Sequence, residues 1–243
     1  MSFDMAYTDS INCERMTSMA KHRTKLIDRL LPNYTRGEEI FNTVSHIIGG
    51  GFGVFALVAC VIVSALHKSP WAVVGSAIYG GSMVLLYTVS SIYHALRPPM
   101  AKKVMQVIDH CTIYLLIAGT YTPILLCSIR EVSPGWAWTL FGIVWGLAVM
   151  AATLTAIDLK KYSILSMICY IGMGWSIVIA ADTAVKAIPL SGLMWLLAGG
   201  IAYTLGAILY GIGKKRRYMH SVFHLFVVLG SILQFVCIVG YIL

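Results

Sequence analysis

Charged side chains are scarce in this 243-residue sequence. Asp, Glu, Lys and Arg make up 12% of it, about half the usual share of a soluble domain, whereas hydrophobic residues make up 58%. A water-soluble fold of this size could not bury so much apolar side chain, and the charges stand between long apolar runs. The composition therefore excludes a soluble enzyme and indicates an integral membrane protein.

Paired cysteines are also missing. The six cysteines form no CxxC motif, and most of them stand inside apolar runs. We therefore expect neither a disulfide framework nor a thiolate metal site, but buried thiols that pack as small hydrophobic side chains. The sequence also lacks a short apolar segment followed by a small-residue cleavage site, so we expect no secretory signal peptide.

Residues 1–40 are polar and of mixed charge, and we interpret them as a cytoplasmic N-terminal tail. Between Met16 and Leu31, apolar side chains are interleaved with Lys and Arg. This pattern favours an amphipathic helix on an anionic membrane surface that ends at Pro32. An unstructured chain is the alternative for the first dozen residues of the tail. The remaining residues, 41–243, are predicted to form one transmembrane domain.

Seven apolar segments follow the tail. They lie near residues 44–66, 72–95, 108–129, 135–157, 162–185, 190–212 and 220–242. Each can cross a hydrocarbon core of about 30 Å as a helix that rises about 1.5 Å per residue. The apolar runs are continuous, which favours helices over the alternating strands of a barrel. The predicted fold is an all-α, seven-transmembrane helix bundle with short loops.

Small residues and one proline mark the interiors of these spans. Glycines recur in the first, second, fifth and sixth segments, and small residues of this kind let helix backbones approach closely in lipid. Pro123 predicts a kink in the third span, with Thr120 and Thr122 able to satisfy the carbonyl groups that the kink frees.

The basic residues predict the orientation of the bundle. With the N-terminus inside, fifteen of the 18 Lys and Arg residues lie on the cytoplasmic side, and only Lys68, Arg130 and Lys186 lie outside. The positive-inside rule therefore predicts a cytoplasmic N-terminus and, after seven spans, an extracytoplasmic C-terminus. Because the positive charges flank spans, the net charge of +8 indicates contact with anionic lipids rather than with nucleic acid.

Five of the seven histidines fall at one depth of this topology, the cytoplasmic ends of the spans. They are His46 in the first span, His94 in the second, His110 in the third, and His220 and His224 in the seventh. Ionisable groups at the edge of a membrane span are costly and usually functional. The shared depth predicts a site at the cytoplasmic face.

The spacing of three histidines favours a zinc site. His220 and His224 are four residues apart, so both rings project from one helix face and can hold one ion. With His94 as third ligand, an open fourth position is typical of catalytic zinc, which activates water for hydrolysis. Ser90 lies one turn from His94, and Asp109 is a carboxylate near the same depth that could act as a general base.

Simpler explanations compete with this hypothesis. The two histidines of the seventh span could provide no more than polarity at the membrane interface. Asp109 could be a helix N-terminal charge that the helix dipole favours. His110 faces a different direction from Asp109 on a helix, so we expect it to pack beside the site.

Four patches, at 38–46, 90–94, 109–123 and 220–224, resemble the bacterial hemolysin III proteins. These are members of the superfamily of progestin and adiponectin receptors, which is similar to the alkaline ceramidases. The resemblance covers residues 36–243. It implies a multi-pass protein of the bacterial cytoplasmic (inner) membrane with a role in membrane-lipid homeostasis.

The resemblance also implies roles for individual residues. His94, His220 and His224 match the zinc ligands of the family. Ser90 matches the serine of its SxxxH motif, and Asp109 matches the aspartate that contacts the water of the zinc site. Three residues match its first motif and are expected to line the site: Glu39, Asn42 and His46.

Three functions follow as hypotheses. The first is a Zn2+-dependent hydrolase that acts on an amide or ester bond of a lipid, as the ceramide-hydrolysing relatives suggest. The second is a non-enzymatic sensor or regulator of membrane fluidity with structural zinc. The third is a pore-forming haemolysin, which leakage of dye from liposomes would reveal. Membrane lipids are the expected partners in each case.

Overall fold

The computed structural model describes residues 24–67, 69–213 and 216–243. Within these ranges, seven helices are long and apolar enough to cross a membrane, which confirms the predicted all-α bundle. They are α1 (Arg36–Leu66), α2 (Pro70–Ala95), α3 (Pro99–Val132), α4 (Pro134–Ile157), α5 (Ser163–Ala187), α6 (Leu190–Gly213) and α7 (Met219–Ile242). The five cysteines in these ranges are unpaired, as predicted, and Cys13 lies outside them.

Two helices begin well before the apolar segments that predicted them. Helix α1 begins at Arg36 rather than near 44, after Thr35, whose side chain accepts the Glu38 amide while the Glu38 carboxylate accepts the Thr35 amide. Helix α3 begins at Pro99 rather than near 108. Hydropathy indicates only the apolar part of a helix that can cross the bilayer. The helical backbone can extend beyond that part into polar sequence, up to its cap. The predicted domain boundary after residue 40 therefore falls inside α1.

The segment before α1 is only partly as expected. Residues Leu26–Asp28 form a single 3-10 turn, and residues 29–35 have no regular structure. The predicted surface helix therefore does not reach Leu31, and its first part lies outside the described residues. The Thr24 amide donates to Asp158 Oδ2 at 2.7 Å, so this segment lies against the loop between α4 and α5. A second hydrogen bond to this region comes from Arg29, whose guanidinium donates to the Ile157 carbonyl at 3.1 Å.

Helix α3 is the central helix of the bundle. Its apolar stretch is 78% buried, against 22–56% for the other six helices, whose remaining surface is apolar. Buried hydroxyl groups connect α2 with α7, because Tyr87 donates to Ser231 Oγ at 2.8 Å and Tyr79 donates to the Ser231 carbonyl at 3.5 Å. The largest fully buried side chains come mainly from α2 and α3, and α2, α3 and α7 carry most of the predicted site.

One glycine shows how closely helices approach. A Cβ atom added to Gly80 would lie 2.5 Å from Leu57 Cα, so the backbones of α1 and α2 touch there as the sequence predicted. Around Pro123, the Thr120 and Thr122 hydroxyls donate to carbonyls of the preceding turn. The helix then continues as the π-helical segment Ile124–Ile129, one of the local adjustments by which a membrane helix accommodates a proline.

Candidate metal centre

Three histidine side chains converge at one end of the bundle. His94 comes from the last turn of α2, and His220 and His224 come from the first two turns of α7. His220 Nε2 lies 3.2 Å from His94 Nε2 and 3.1 Å from His224 Nε2. One ring nitrogen from each residue lies within 4.8 Å of the others, so the group could hold a metal ion.

The nitrogen spacing fits a small tetrahedral ion. Zn–N bonds of about 2.0–2.1 Å in a tetrahedron place two ligand nitrogens about 3.3 Å apart, close to the separations at His220. His94 and His224 are almost completely buried, which favours the neutral imidazole that a metal requires. No other group of this kind occurs in the ranges that the structure describes. The geometry fits zinc but does not select it over other metals that bind imidazole.

Residues of α1 approach the Nδ1 atom of His94, on the other side of the ring from Nε2, which faces His220. Glu39 Oε2 lies 2.7 Å from His94 Nδ1, and Asn42 Nδ2 lies 3.5 Å from the same atom. The Asn42 carbonyl oxygen accepts a 2.6 Å hydrogen bond from Ser221 on α7. Of the three residues of the predicted first motif, Glu39 and Asn42 therefore contact His94 or α7, and His46 lies in the wall of the cavity beside the histidines.

Aromatic rings hold the other two histidines. The His46 ring stacks on His224 with centroids 3.7 Å apart and planes 16° apart. Tyr34 stacks on His220 at 5.0 Å and 12°, from the segment before α1. Burial raises the pKa of the Tyr34 hydroxyl far above its usual range, so this ring stays neutral. Tyr34 therefore covers the histidines with an uncharged surface.

Helix α3 contributes the carboxylate of the site. Asp109 is 8% exposed, and the buried Ser90 of α2 lies in the wall of the same cavity. His110 Nδ1 lies 2.8 Å from the Gln106 carbonyl in its own helix and 3.9 Å from Asp109 Oδ2. The structure thus brings Ser90 and Asp109 together, and it places His110 beside them rather than among the three converging histidines.

A long apolar cavity begins at the histidines. Its free volume is about 150 Å3, and its wall includes His220, His224, Ser90 and Asp109. It extends to Gln234, ten residues further along α7, which corresponds to about 15 Å. A second cavity of about 230 Å3 shares Gln234 with the first, along with other wall residues, and continues between α5 and α6. Together they form an apolar path from the candidate metal centre into the bundle.

Two contacts of the site were not anticipated from the sequence. Tyr34 lies in the segment read as a surface tail, and no motif marks it. Lys102 was interpreted as a topology signal, yet it is 8% exposed and lies 2.8 Å from Glu39 Oε1. The capping pattern Thr35–Glu38 would have predicted that α1 begins early, which brings Tyr34 near the histidines.

The fold and the site together define a class of protein. It is a multi-pass integral membrane protein whose helix bundle holds three converging histidines, able to bind a metal ion, at one end of an apolar cavity.

Comparison with known proteins then gives the particular family. Residues 34–235 match the family described as Haemolysin-III related, and the chain belongs to it. It is 39% identical over 206 residues to Hemolysin-3 of Bacillus cereus, which covers 85% of this chain and 92% of that protein. It is 38% identical over 208 residues to the Hemolysin-3 homolog of Bacillus subtilis (strain 168), with 86% and 96% covered.

The chain also has a more distant relative in animals. The chain is 25% identical over 234 residues to the human monocyte to macrophage differentiation factor, with 93% of each protein covered. These relatives confirm the family resemblance, and the bacterial ones point to the cytoplasmic (inner) membrane as the location.

Proposed function

We propose that this protein is a zinc-dependent hydrolase that cleaves an amide or ester bond of a membrane lipid and so contributes to membrane-lipid homeostasis. The observation that supports it most is the convergence of His94, His220 and His224 at the mouth of an apolar cavity that also contains Asp109. When bound there, zinc supplies a Lewis acid that polarises a carbonyl group and activates water.

Other residues of the chain would bind the lipid, transfer the proton and stabilise the oxyanion. The cavity wall is mostly apolar, so it suits an acyl chain, while the histidine end lies at the end of the spans, where a polar headgroup can stay near water. The Asp109 carboxylate is the group that accepts a proton from water and returns it to the leaving group. The Ser90 hydroxyl lies in the wall of the same cavity and can donate a hydrogen bond to the oxyanion that develops on the scissile carbonyl.

The test begins with metal content. Mass spectrometry of detergent-purified protein should find close to one zinc per chain in the wild type, and almost none in His94→Ala or His220→Ala. Asp109→Asn should keep its zinc but hydrolyse ceramide or acyl-lipid substrates at least about 100-fold more slowly. A folded wild type without zinc would overturn the proposal. So would a zinc-loaded wild type that hydrolyses nothing while a ceramidase control is active.

One observation favours a second candidate. The histidines come from two helices, so a bound ion would tie α2 to α7 across the core. A non-enzymatic regulator of membrane fluidity with structural zinc would need only this connection. It predicts that His94→Ala lowers the thermal stability of the protein in proportion to the zinc lost, and that no lipid substrate is ever consumed.

A further inference from the structure

We propose that Glu39 is the residue that positions His94 for metal binding, and that Lys102 holds Glu39 in place. This inference rests on the proposed metal centre. Glu39 uses its two oxygens for different partners: Oε2 lies 2.7 Å from His94 Nδ1, and Oε1 lies 2.8 Å from Lys102 Nζ. The carboxylate therefore bridges a candidate ligand and a buried cation.

The contact decides which ring nitrogen of His94 can bind a metal. A neutral imidazole carries one proton, so one nitrogen donates and the other accepts. An ionised carboxylate only accepts, so Glu39 selects the form with the proton on Nδ1. The lone pair then lies on Nε2, the atom 3.2 Å from His220 Nε2. Without Glu39, a His94 ring protonated on Nε2 would have no lone pair on the nitrogen that faces His220.

Lys102 fixes the position of the carboxylate. Its ammonium group has three donors, and it contacts Glu39 Oε1, the His94 carbonyl at 3.2 Å and the Leu96 carbonyl at 3.1 Å. The last two are backbone groups at the end of α2, where His94 itself is located. Lys102, in the first turn of α3, thus joins the ends of α1, α2 and α3 around one metal ligand.

The other two ligands are positioned by different means. His220 and His224 are stacked on the rings of Tyr34 and His46. Among the described residues, His94 is the one of the three whose ring pairs with a carboxylate. Loss of Glu39 therefore removes a contact that no other carboxylate at the site replaces. Such outer contacts typically change metal affinity by about 10–100-fold.

The experiment measures metal affinity rather than activity. Wild type, Glu39→Gln and Lys102→Met are purified in detergent, stripped of metal and titrated with zinc against a competing chelator. Glu39→Gln keeps the shape and a carbonyl acceptor but loses the charge, and should bind zinc about 10–100-fold more weakly. Lys102→Met should weaken binding in the same direction. The matched control is Glu131→Gln at the other end of α3, whose carboxylate is exposed and pairs with Arg130, and it should bind as the wild type does.

A second measurement separates positioning from folding. Nitrogen-15 NMR of labelled histidines in the metal-free protein should show His94 protonated on Nδ1 in the wild type and a mixture of both forms in Glu39→Gln. Equal zinc affinity in wild type and Glu39→Gln would overturn the positioning role while leaving the metal centre intact. A lower thermal stability of metal-free Glu39→Gln with unchanged zinc affinity would also overturn it, because the role would then be structural. A wild type that binds no zinc would defeat the proposed function and this inference together.

Discussion

Helices α1 and α2 pack closely against each other, whereas α5 and α6 have a cavity between them. Helices α1 and α2 approach so closely at Gly80 that a methyl group would meet the backbone at Leu57, and Ser64 and Ser76 hydrogen-bond across the pair at 2.8 Å. Between α5 and α6, by contrast, Trp175 donates to Thr204 at 3.0 Å beside an open cavity. Helix α5 is also interrupted there, by the 3-10 segment Ser176–Ala180.

The difference separates two requirements of the proposed site. Lipid tails are as apolar as side chains, so helices in a bilayer hold together only where small residues and hydrogen bonds allow close packing. The close pair, α1 and α2, carries Glu39 and His94, which need fixed positions. The open pair borders a cavity, and the acyl chain of the proposed substrate would need room there rather than rigidity.

The largest effect is expected at the close pair. Gly80→Ala would place a Cβ atom against Leu57 Cα, and overpacking of this kind costs about 1–3 kcal/mol. Thermal unfolding in detergent should show a clear loss of stability. Gly81→Ala, the next residue of α2, adds its Cβ to open space and should be neutral or slightly stabilising, because alanine favours helix. Equal stability of the two variants would show that α1 and α2 do not touch at Gly80.

An intermediate effect is expected at the open pair, provided that the protein is a lipid hydrolase. Ala207→Trp would fill the cavity from α6 and should slow hydrolysis of long-chain substrates by at least about tenfold, while zinc content stays unchanged. The comparison variant is Leu205→Trp, two residues away on the lipid-facing side of α6, where Leu205 is 45% exposed. If Ala207→Trp hydrolysed such lipids at the wild-type rate, the cavity would not be the path of the acyl chain.

The smallest effect is expected outside the bundle, at Asp158. Burial alone would raise the pKa of this carboxyl, but hydrogen bonds from the Thr24 and Lys161 amides, aided by the Arg29 guanidinium, hold it below its usual value. Because its pKa is lowered, the Asp158 carboxylate fully stabilises the contact with the segment before α1 at any pH above the ordinary pKa of 3.8. This contribution to stability disappears as the pH falls through the lower pKa of the folded state.

Amide hydrogen exchange checks this prediction. At neutral pH, the Thr24 and Lys161 amides should lose no more than about tenfold protection in Asp158→Asn, because the amide side chain loses the charge but keeps one carbonyl acceptor. Below the lowered folded-state pKa of Asp158, where the carboxyl is protonated, wild type and variant should converge. Asp182→Asn, an exposed carboxylate on α5, serves as control. A difference that persisted unchanged in acid would show that the Asp158 charge does not hold the segment.

Much of this protein was predictable because a bilayer constrains sequences strongly. Every predicted span corresponds to a helix, since an unpaired backbone in lipid is too costly for any other spanning structure. The spacing of His220 and His224 is a local property of one helix, and it predicted their shared face. The predicted orientation follows from the positions of Lys and Arg and stays a prediction.

The predicted helix starts and the predicted role of Lys102 were wrong, because hydropathy does not indicate helix caps or ion pairs. The early starts of α1 and α3 depend on the cap at Thr35 and on Pro99, which lie in polar sequence. Lys102 resembled a topology signal because a buried ion pair and a solvated loop charge look alike in sequence. Only the folded chain places it beside Glu39.

By itself, the sequence determined the number and nature of the spans, the family, and the residue types of the candidate metal centre. These depend on composition, on helical periodicity and on local motifs, all of which are properties of short segments. The tertiary structure alone decided that His94 meets His220 across α2 and α7, that Glu39 and Lys102 support it, and that the cavity continues between α5 and α6. Those features depend on packing between residues far apart in the chain, where small differences in helix approach determine which side chains touch.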